Sequence, residues 1–428
     1  MNAQKVESYQ LNKDAYIIEK DNISIAYFPL QRKFFEISTE GKEALINHFH
    51  FGIRNKTVEN FLKENNLLEN PKYPKNKNDP QKPTSLCLAL TSGCNLRCIY
   101  CYADADTNAD VMTFEIAKLS IDANVSNLQD IGSDTIRISF LGGGETLTVF
   151  QLLKRIINYI NNNYDLKKKF SLVTNATLIT PEIARFFKKN NFRITVSLDG
   201  PKDIHDKQRP KANKKGSFDE TLRGMNLLNQ ANVNWGIRST ITTINGGSIL
   251  ELIDIAKDMN CGIKLEPITP TGRGDSLPID PKEGFIDILE KAIDYGEEIG
   301  VKIRSSYLTN LGIKTQYCGG NGNLCCVLPN GIISSCSRIT KKTDKLFDIY
   351  SVRKITPNGI TTNQEKLEQL RSLTTLDSKC ENCFAKWHCA GGCYSTRLLY
   401  HGIPEEHCLI MRYFVWKDII KNLEKERR

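Results

Sequence analysis

The 428-residue chain has no unbroken apolar run of roughly 18 residues, so no segment has the length of a membrane-spanning helix. Its first residues, Met1 to Lys20, are polar and mixed in charge, which is not the pattern of a secretory signal. The expected location is therefore the cytoplasm. Fourteen cysteines in a reducing compartment are not expected to form disulfides. They are clustered, and clustered thiols in that setting point to metal. No internal repeat with a period of about 20–50 residues is found. The net charge is +9, and Lys167-Lys168-Lys169 and Lys341-Lys342 read first as solvated surface. An acidic peptide is the partner class such patches would suit. Nucleic acid is not the expected partner, because the helix that would have to read it, at 57–65, carries only Lys63.

Three segments follow from the pattern. Residues 1–70 hold short strands at 15–19, 23–28 and 33–37, then helices at 39–50 and 57–65, a winged-helix-like order. Four prolines among lysines and asparagines make 71–84 a linker. From 85 to 306, strands at 85–90, 135–141, 169–174, 193–198, 234–241 and 262–268 alternate with helices at 113–129, 147–163, 181–190, 218–231 and 248–259. A further helix follows at 282–298. This α/β alternation predicts a parallel sheet of βαβ units. Six strands fall short of the eight of a full barrel, so a partial (β/α)6 TIM-like barrel is expected. From 307 to 428 cysteines dominate, and this third domain is expected to be held together by metal.

The loop after the first barrel strand reads Cys94-Asn-Leu-Arg-Cys98-Ile-Tyr100-Cys101. Three thiolates leave the fourth iron of a four-iron cube without a protein ligand, and an open iron can bind and cleave a small molecule. Zinc is the rival, but it closes with four ligands and no histidine lies near these three. The spacing, with Tyr100 before the last cysteine, resembles the radical S-adenosylmethionine (radical SAM) family. The second strand ends in Gly142-Gly143-Gly144-Glu145, and glycines there permit close backbone approach to a ligand. This run is similar to the family's Gly-Gly-Glu motif, although Thr146 stands where the family usually has proline. The resemblance implies that Gly143, Gly144 and Glu145 hold the methionine end of S-adenosylmethionine. It places Asn175, Ser197 and Asp199 near the ribose and carboxylate, and Tyr100 near the adenine. Arg238, two residues from Thr240 and on the same strand face, reads either as a partner of the cofactor carboxylate or as half of a buried structural ion pair. His205 and Arg209 are equally well read as loop hydrogen bonding, and Glu266 as a weaker candidate. The implied chemistry is one-electron cleavage of the cofactor, giving a 5′-deoxyadenosyl radical that abstracts hydrogen. No catalytic acid or base can be named.

Downstream, Cys380-x2-Cys383-x5-Cys389-x3-Cys393, then Cys408, and upstream Cys318 with Gly331-x4-Cys336, resemble the SPASM domain. The resemblance implies two auxiliary [4Fe–4S] clusters, three clusters in all. It gives Cys318, Cys336 and Cys393 to one and Cys380, Cys383, Cys389 and Cys408 to the other. Two cubes need eight thiolates, and the motif supplies seven. Cys325 is preferred over Cys326 as the eighth; without either, one iron stays open. Cys87 and Cys261 read as core residues.

A winged-helix-like module ahead of such an enzyme resembles the recognition element of ribosomal-peptide maturases, where a leader peptide adds a strand to a sheet edge. The expected function is therefore an intramolecular carbon–carbon or thioether crosslink in a precursor peptide. An external flavodoxin- or ferredoxin-like protein would supply electrons. A sulfatase-maturase type of enzyme is the nearest alternative, and a zinc scaffold with a DNA-binding head is the alternative of another class.

Overall fold

In the computed structural model, which describes residues 5–69, 73, 83–107, 109–269, 271–277, 284–373, 376 and 378–427, the strand–helix alternation builds one long sheet. The linker expected at 71–84 lies outside the described residues except for Tyr73, Pro83 and Thr84. Contacts gather the chain into two compact units whose segments interleave. One joins Met1–Lys77, Ser306–Cys318 and Leu373–Arg428; the other joins Asn78–Ser305 and Gly319–Ser372.

The first unit opens with an antiparallel sheet, β1 (Glu7–Asn12), β2 (Ala15–Lys20), β3 (Ile23–Phe28) and β4 (Lys33–Glu36), followed by α1 (Thr39–Phe51) and α2 (Lys56–Glu64). Strand β1 has no counterpart in the sequence reading. It is an edge strand whose side chains are mostly exposed, so it carries little apolar signal. Ile17, Ala26 and Phe28 face a core with Leu45, Val58 and Leu62 of the helices. Tyr16, Ile18 and Tyr27, on the opposite face, are fully buried too.

The second unit holds β5 (Ser85–Leu88), β6 (Thr135–Phe140), β7 (Lys167–Thr174), β8 (Arg193–Ser197), β9 (Asn234–Ile241), β10 (Ile263–Pro267) and β11 (Ile303–Arg304), all parallel to their neighbours. Between them lie α3 (Phe114–Asp130), α4 (Phe150–Asn163), α5 (Pro181–Lys189), α6 (Lys202–Gln208), α7 (Phe218–Gln230), α8 (Ile249–Asp258) and α9 (Gly284–Ile299). Thr113 and Thr180 cap α3 and α5 through their side chains. The cysteine-dominated stretch adds β12 (Leu324–Val327), parallel to β5, then β13 (Ile332–Ser334), β14 (Ser351–Thr356) and β15 (Gly359–Thr362). The result is an α/β fold whose sheet is parallel from β11 across to β12 and antiparallel from β12 to β15, longer than the expected six strands. In it, α10 (Phe347–Tyr350) and α11 (Gln364–Ser372) flank the added strands.

The first unit ends with α12 (Lys386–Cys389), α13 (Tyr394–Leu399) and α14 (Glu405–Glu426). Among the described residues no helix is long and apolar enough to cross a membrane.

Candidate functional site

Strand β5 leads through buried Ala89, Leu90 and Thr91 into the three-cysteine loop. The loop backbone is tied down along its length. Cys94 N donates to Asp106 O at 2.9 Å, and Ile99 N donates to Gln208 O at 3.0 Å. Arg97 Nη1 reaches the carbonyls of Cys94 and Leu96, each at 2.8 Å. Arg273, from the turn after β10, donates to Cys98 O at 2.9 Å and to Asp104 Oδ1 at 2.7 Å. Gly272 permits that approach: a Cβ there would lie 2.5 Å from the carbonyl oxygens of Cys101 and Tyr102.

Cys94, Cys98 and Cys101 are within electrostatic reach of one another. Burial pushes the Cys94 thiol up to about 12 and the Cys98 thiol up to about 11, with Arg209 pulling Cys98 back. Donors face the sulfurs: Leu96 N at 3.4 Å and Asn175 Nδ2 at 4.0 Å on Cys94, and Arg209 Nη1 at 3.7 Å on Cys98. Three thiols, no imidazole and a ring of N–H donors form a set that suits a thiolate-held cluster. Among the described residues no group of three or more His, Cys, Asp and Glu side chains could hold a single metal ion. A four-iron cube instead spaces its thiolates around its corners.

The glycine run after β6 is clasped to the start of this loop. Gly144 N donates to Thr91 O at 2.9 Å, and Glu145 N donates to Gly93 O at 2.8 Å. A Cβ on Gly144 would lie 1.8 Å from Gly93 O, and Gly143 has φ +71°. The glycines thus admit the cysteine loop's own backbone. Glu145 is buried. Its carboxylate accepts from Thr174 Oγ1 at 2.9 Å, Leu147 N at 3.1 Å and Asn175 N at 2.8 Å. Burial raises its pKa against these donors. Asn175 in turn donates to Asn95 Oδ1 at 2.9 Å.

Asp199, after β8, is a hub. It accepts from Arg209 Nε at 2.7 Å, Ser239 Oγ at 3.2 Å and Thr240 N at 3.2 Å, and from the Tyr100 hydroxyl. The Arg209 guanidinium also lies 5.2 Å from the Tyr100 ring centroid. Ser197 and Arg238 are register partners on β8 and β9; Arg238 is exposed, whereas Ser239 beside it is buried. Glu266 pairs with Lys264 at 2.8 Å.

His205 lies in α6, fully buried, and burial lowers its pKa to about 4. Its Nε2 lies 3.1 Å from Ser217 Oγ, which donates to Arg209 O at 2.6 Å. Arg209 itself joins Asp199 to a cysteine sulfur. Arg273 was missed altogether, since nothing in the local sequence marks it.

In the first unit, Cys389 senses Cys383, Cys380 and Cys408, and burial pushes it up to about 12. Arg412 hydrogen-bonds Cys408. Cys318 and Cys393 both lie near the Tyr394 hydroxyl. In the second unit, β12 turns its two cysteines to opposite faces. The Cys326 Sγ is 3.2 Å from Cys87 Sγ, and Cys336 is among its electrostatic neighbours. Cys325, pushed up to about 12 by burial, has both Arg353 and Cys87 within electrostatic reach.

Residues 88–259 match the family model of the Radical SAM superfamily. The fold and this match define a radical SAM domain, consistent with a radical SAM enzyme. That class implies one [4Fe–4S] cluster and S-adenosylmethionine. The chain is 28% identical to a cysteine-type anaerobic sulfatase-maturating enzyme of Clostridium novyi (strain NT), over 71% of this chain and 85% of that one. Its fold is similar to native anSMEcpe with bound AdoMet and Cp18Cys peptide, with a TM-score of 0.64 and 19% identity, covering 80% of this chain and 99% of that one. It is also similar to Streptococcus suis SuiB bound to S-adenosylmethionine, with a TM-score of 0.55 and 15% identity, covering 91% of this chain and 97% of that one.

Proposed function

We propose that this radical SAM enzyme matures a ribosomally made peptide, installing an intramolecular carbon–carbon or thioether crosslink. In this reading residues 1–70 recognise the leader, 71–84 link, 85–306 form the catalytic barrel, and 307–428 are a SPASM domain with two auxiliary clusters. Cys94, Cys98 and Cys101 would hold the first cluster. Tyr100, Gly143, Gly144, Glu145, Asn175, Ser197, Asp199 and Arg238 would form the S-adenosylmethionine pocket. When bound, the cluster and S-adenosylmethionine would supply a 5′-deoxyadenosyl radical. The chain's own part is to fix the loop through Arg273, pair Asp199 with Arg209, and order the rim around Glu145. A cytoplasmic setting and an external flavodoxin- or ferredoxin-like donor belong to the same reading.

The observation that carries it is the four-stranded module of β1–β4 within the same compact unit as the four thiols Cys380, Cys383, Cys389 and Cys408. A barrel alone would need neither. Strand β1 is an edge strand, the position at which an added peptide strand would pair. The 28% identity to a sulfatase-maturating enzyme favours a second reading, in which the substrate is a sulfatase peptide and no leader is read.

Because Tyr16, Ile18 and Tyr27 are buried in the intact unit, the test truncates the peptide rather than the enzyme. The reconstituted enzyme is given the precursor peptide encoded by a neighbouring small reading frame, with and without its leader, and separately the Cp18Cys peptide. The leaderless peptide should bind at least about tenfold more weakly, about 1.4 kcal/mol, and only the leader-bearing peptide should lose mass as hydrogen. Equal binding of the two forms, with turnover of Cp18Cys, would replace the first reading by the second.

A further inference from the structure

His407 stands in the first turn of α14, directly before Cys408. Its Nε2 is 3.2 Å from the Cys389 sulfur, and its Nδ1 is 3.1 Å from the Tyr307 hydroxyl. A neutral imidazole has one donor and one acceptor nitrogen, while a thiolate can only accept. With Tyr307 donating to Nδ1, the ring proton sits on Nε2 and points at sulfur. Every proton in the chain Tyr307–His407–Cys389 then has a place. Gly392 keeps the approach open: its φ is +73°, and a Cβ there would lie 3.0 Å from His407 Nε2. Cys389 is the thiol whose electrostatic neighbours are Cys383, Cys380 and Cys408, so a donor on it acts on the whole set.

We propose that His407 is a positioning residue that donates its Nε2 proton to the Cys389 sulfur and raises the reduction potential of the cluster held by Cys380, Cys383, Cys389 and Cys408. This rests on the reading of those four thiols as cluster ligands. An N–H aimed at a ligand sulfur stabilises the charge added on reduction. One electron enters the cluster, the proton stays on Nε2, and no bond at His407 forms or breaks.

The experiment uses the full chain with Cys94, Cys98 and Cys101 changed to Ala, so that only auxiliary signals remain. These are followed by electron paramagnetic resonance in a titration with dithionite, and the signal lost in Cys389→Ala is assigned to the four-thiol cluster. His407→Phe should keep its iron and make reduction about tenfold less favourable, a shift of about 59 mV to more negative potential for a one-electron couple. His407→Gln, which retains an N–H, should restore most of the shift. Tyr307→Phe should give a smaller shift of the same sign, and it carries the test where the ring variant loses its fold. An unchanged midpoint in both His407→Phe and Tyr307→Phe, with iron intact, overturns the hydrogen bond while leaving the ligand reading in place. A Cys389→Ala protein that keeps all its iron overturns the ligand reading, and the proposal with it. A directly bonded nitrogen in the pulsed spectrum would make His407 a ligand and also overturn it.

Discussion

Two buried acid–base pairs accompany the two main groups of thiols, and they differ in what the base touches. In the barrel, Arg209 donates to Asp199 at 2.7 Å while its Nη1 faces the Cys98 sulfur at 3.7 Å. In the other unit, Lys386 pairs with Asp14 at 3.1 Å, and its remaining hydrogen bonds go to the carbonyls of Lys13 at 2.7 Å and Glu381 at 3.1 Å. The planar guanidinium has five donors in a fork and can serve two acceptors at once; the ammonium is a point charge. The first pair therefore couples a carboxylate to the chemistry of a cysteine loop. The second fastens the β1–β2 turn to the chain just before Cys389. Tyr73 and Trp387 reinforce it by donating to Asp14 at 2.7 and 2.8 Å.

The strongest way to break this contrast is Arg209→Leu. It leaves Asp199 buried and unpaired, a loss of about 3–5 kcal/mol in stability. It also removes a donor from Cys98, so 5′-deoxyadenosine formation should fall by at least about tenfold. Arg209→Lys should recover much of the stability but less of the cleavage, because it pairs without the fork. Denaturant unfolding and chromatographic assay of 5′-deoxyadenosine, both under anaerobic conditions, read the two effects separately. Full cleavage in Arg209→Leu would make the pair as purely architectural as its counterpart.

A smaller effect is expected where the rim meets the loop. Gly144→Ala must push Gly93 O away from 1.8 Å, which opens the clasp between the glycine run and the cysteine loop. Overpacking of this kind costs roughly 1–3 kcal/mol or more. Gly247→Ala, with nothing within 4 Å of the added carbon, is the matched control and should stay within about 0.5 kcal/mol. Iron content after reconstitution and the thermal midpoint should fall in the first and hold in the second. Equal behaviour would show that the clasp contributes nothing to the loop.

The sequence was most legible where one period repeats and least where an element borrows its reason from elsewhere. Asn234–Ile241 appears as expected because alternating burial writes itself into residue order, and Ile23–Phe28 because a short apolar run between turns does the same. Strand β1 is polar because it lies at an edge. Leu324–Val327 was read for its two cysteines, and its four residues are too few to show alternation. The spacing of Cys94, Cys98 and Cys101 is local, so a local reading finds it. Arg273 lies more than 170 residues downstream in an unremarkable turn, and only the fold brings it to Cys98 O. The same holds for Asp14 and Lys386, which no motif connects.

The Asp14–Lys386 pair sharpens the comparison most finely through pH. Burial disfavours the Asp14 charge, yet Tyr73, Trp387 and Lys386 together hold its pKa below the ordinary 3.8. A carboxylate depressed on folding contributes stability that is complete above its unfolded pKa and is lost as pH falls through the lower folded value. Asp14→Asn leaves the Lys386 charge buried and should cost about 3–5 kcal/mol at neutral pH. Below about pH 4 the gap between wild type and variant should narrow, because Asp14 of the unfolded chain takes up its proton there before the folded one does. Denaturant midpoints measured across the acid range give this directly. A gap that stays constant through that range would mean the pair's charge contributes nothing, and that Tyr73 and Trp387 alone fasten the turn. Cleavage of S-adenosylmethionine should be unchanged in Asp14→Asn at neutral pH, the opposite of the outcome expected for Arg209→Leu.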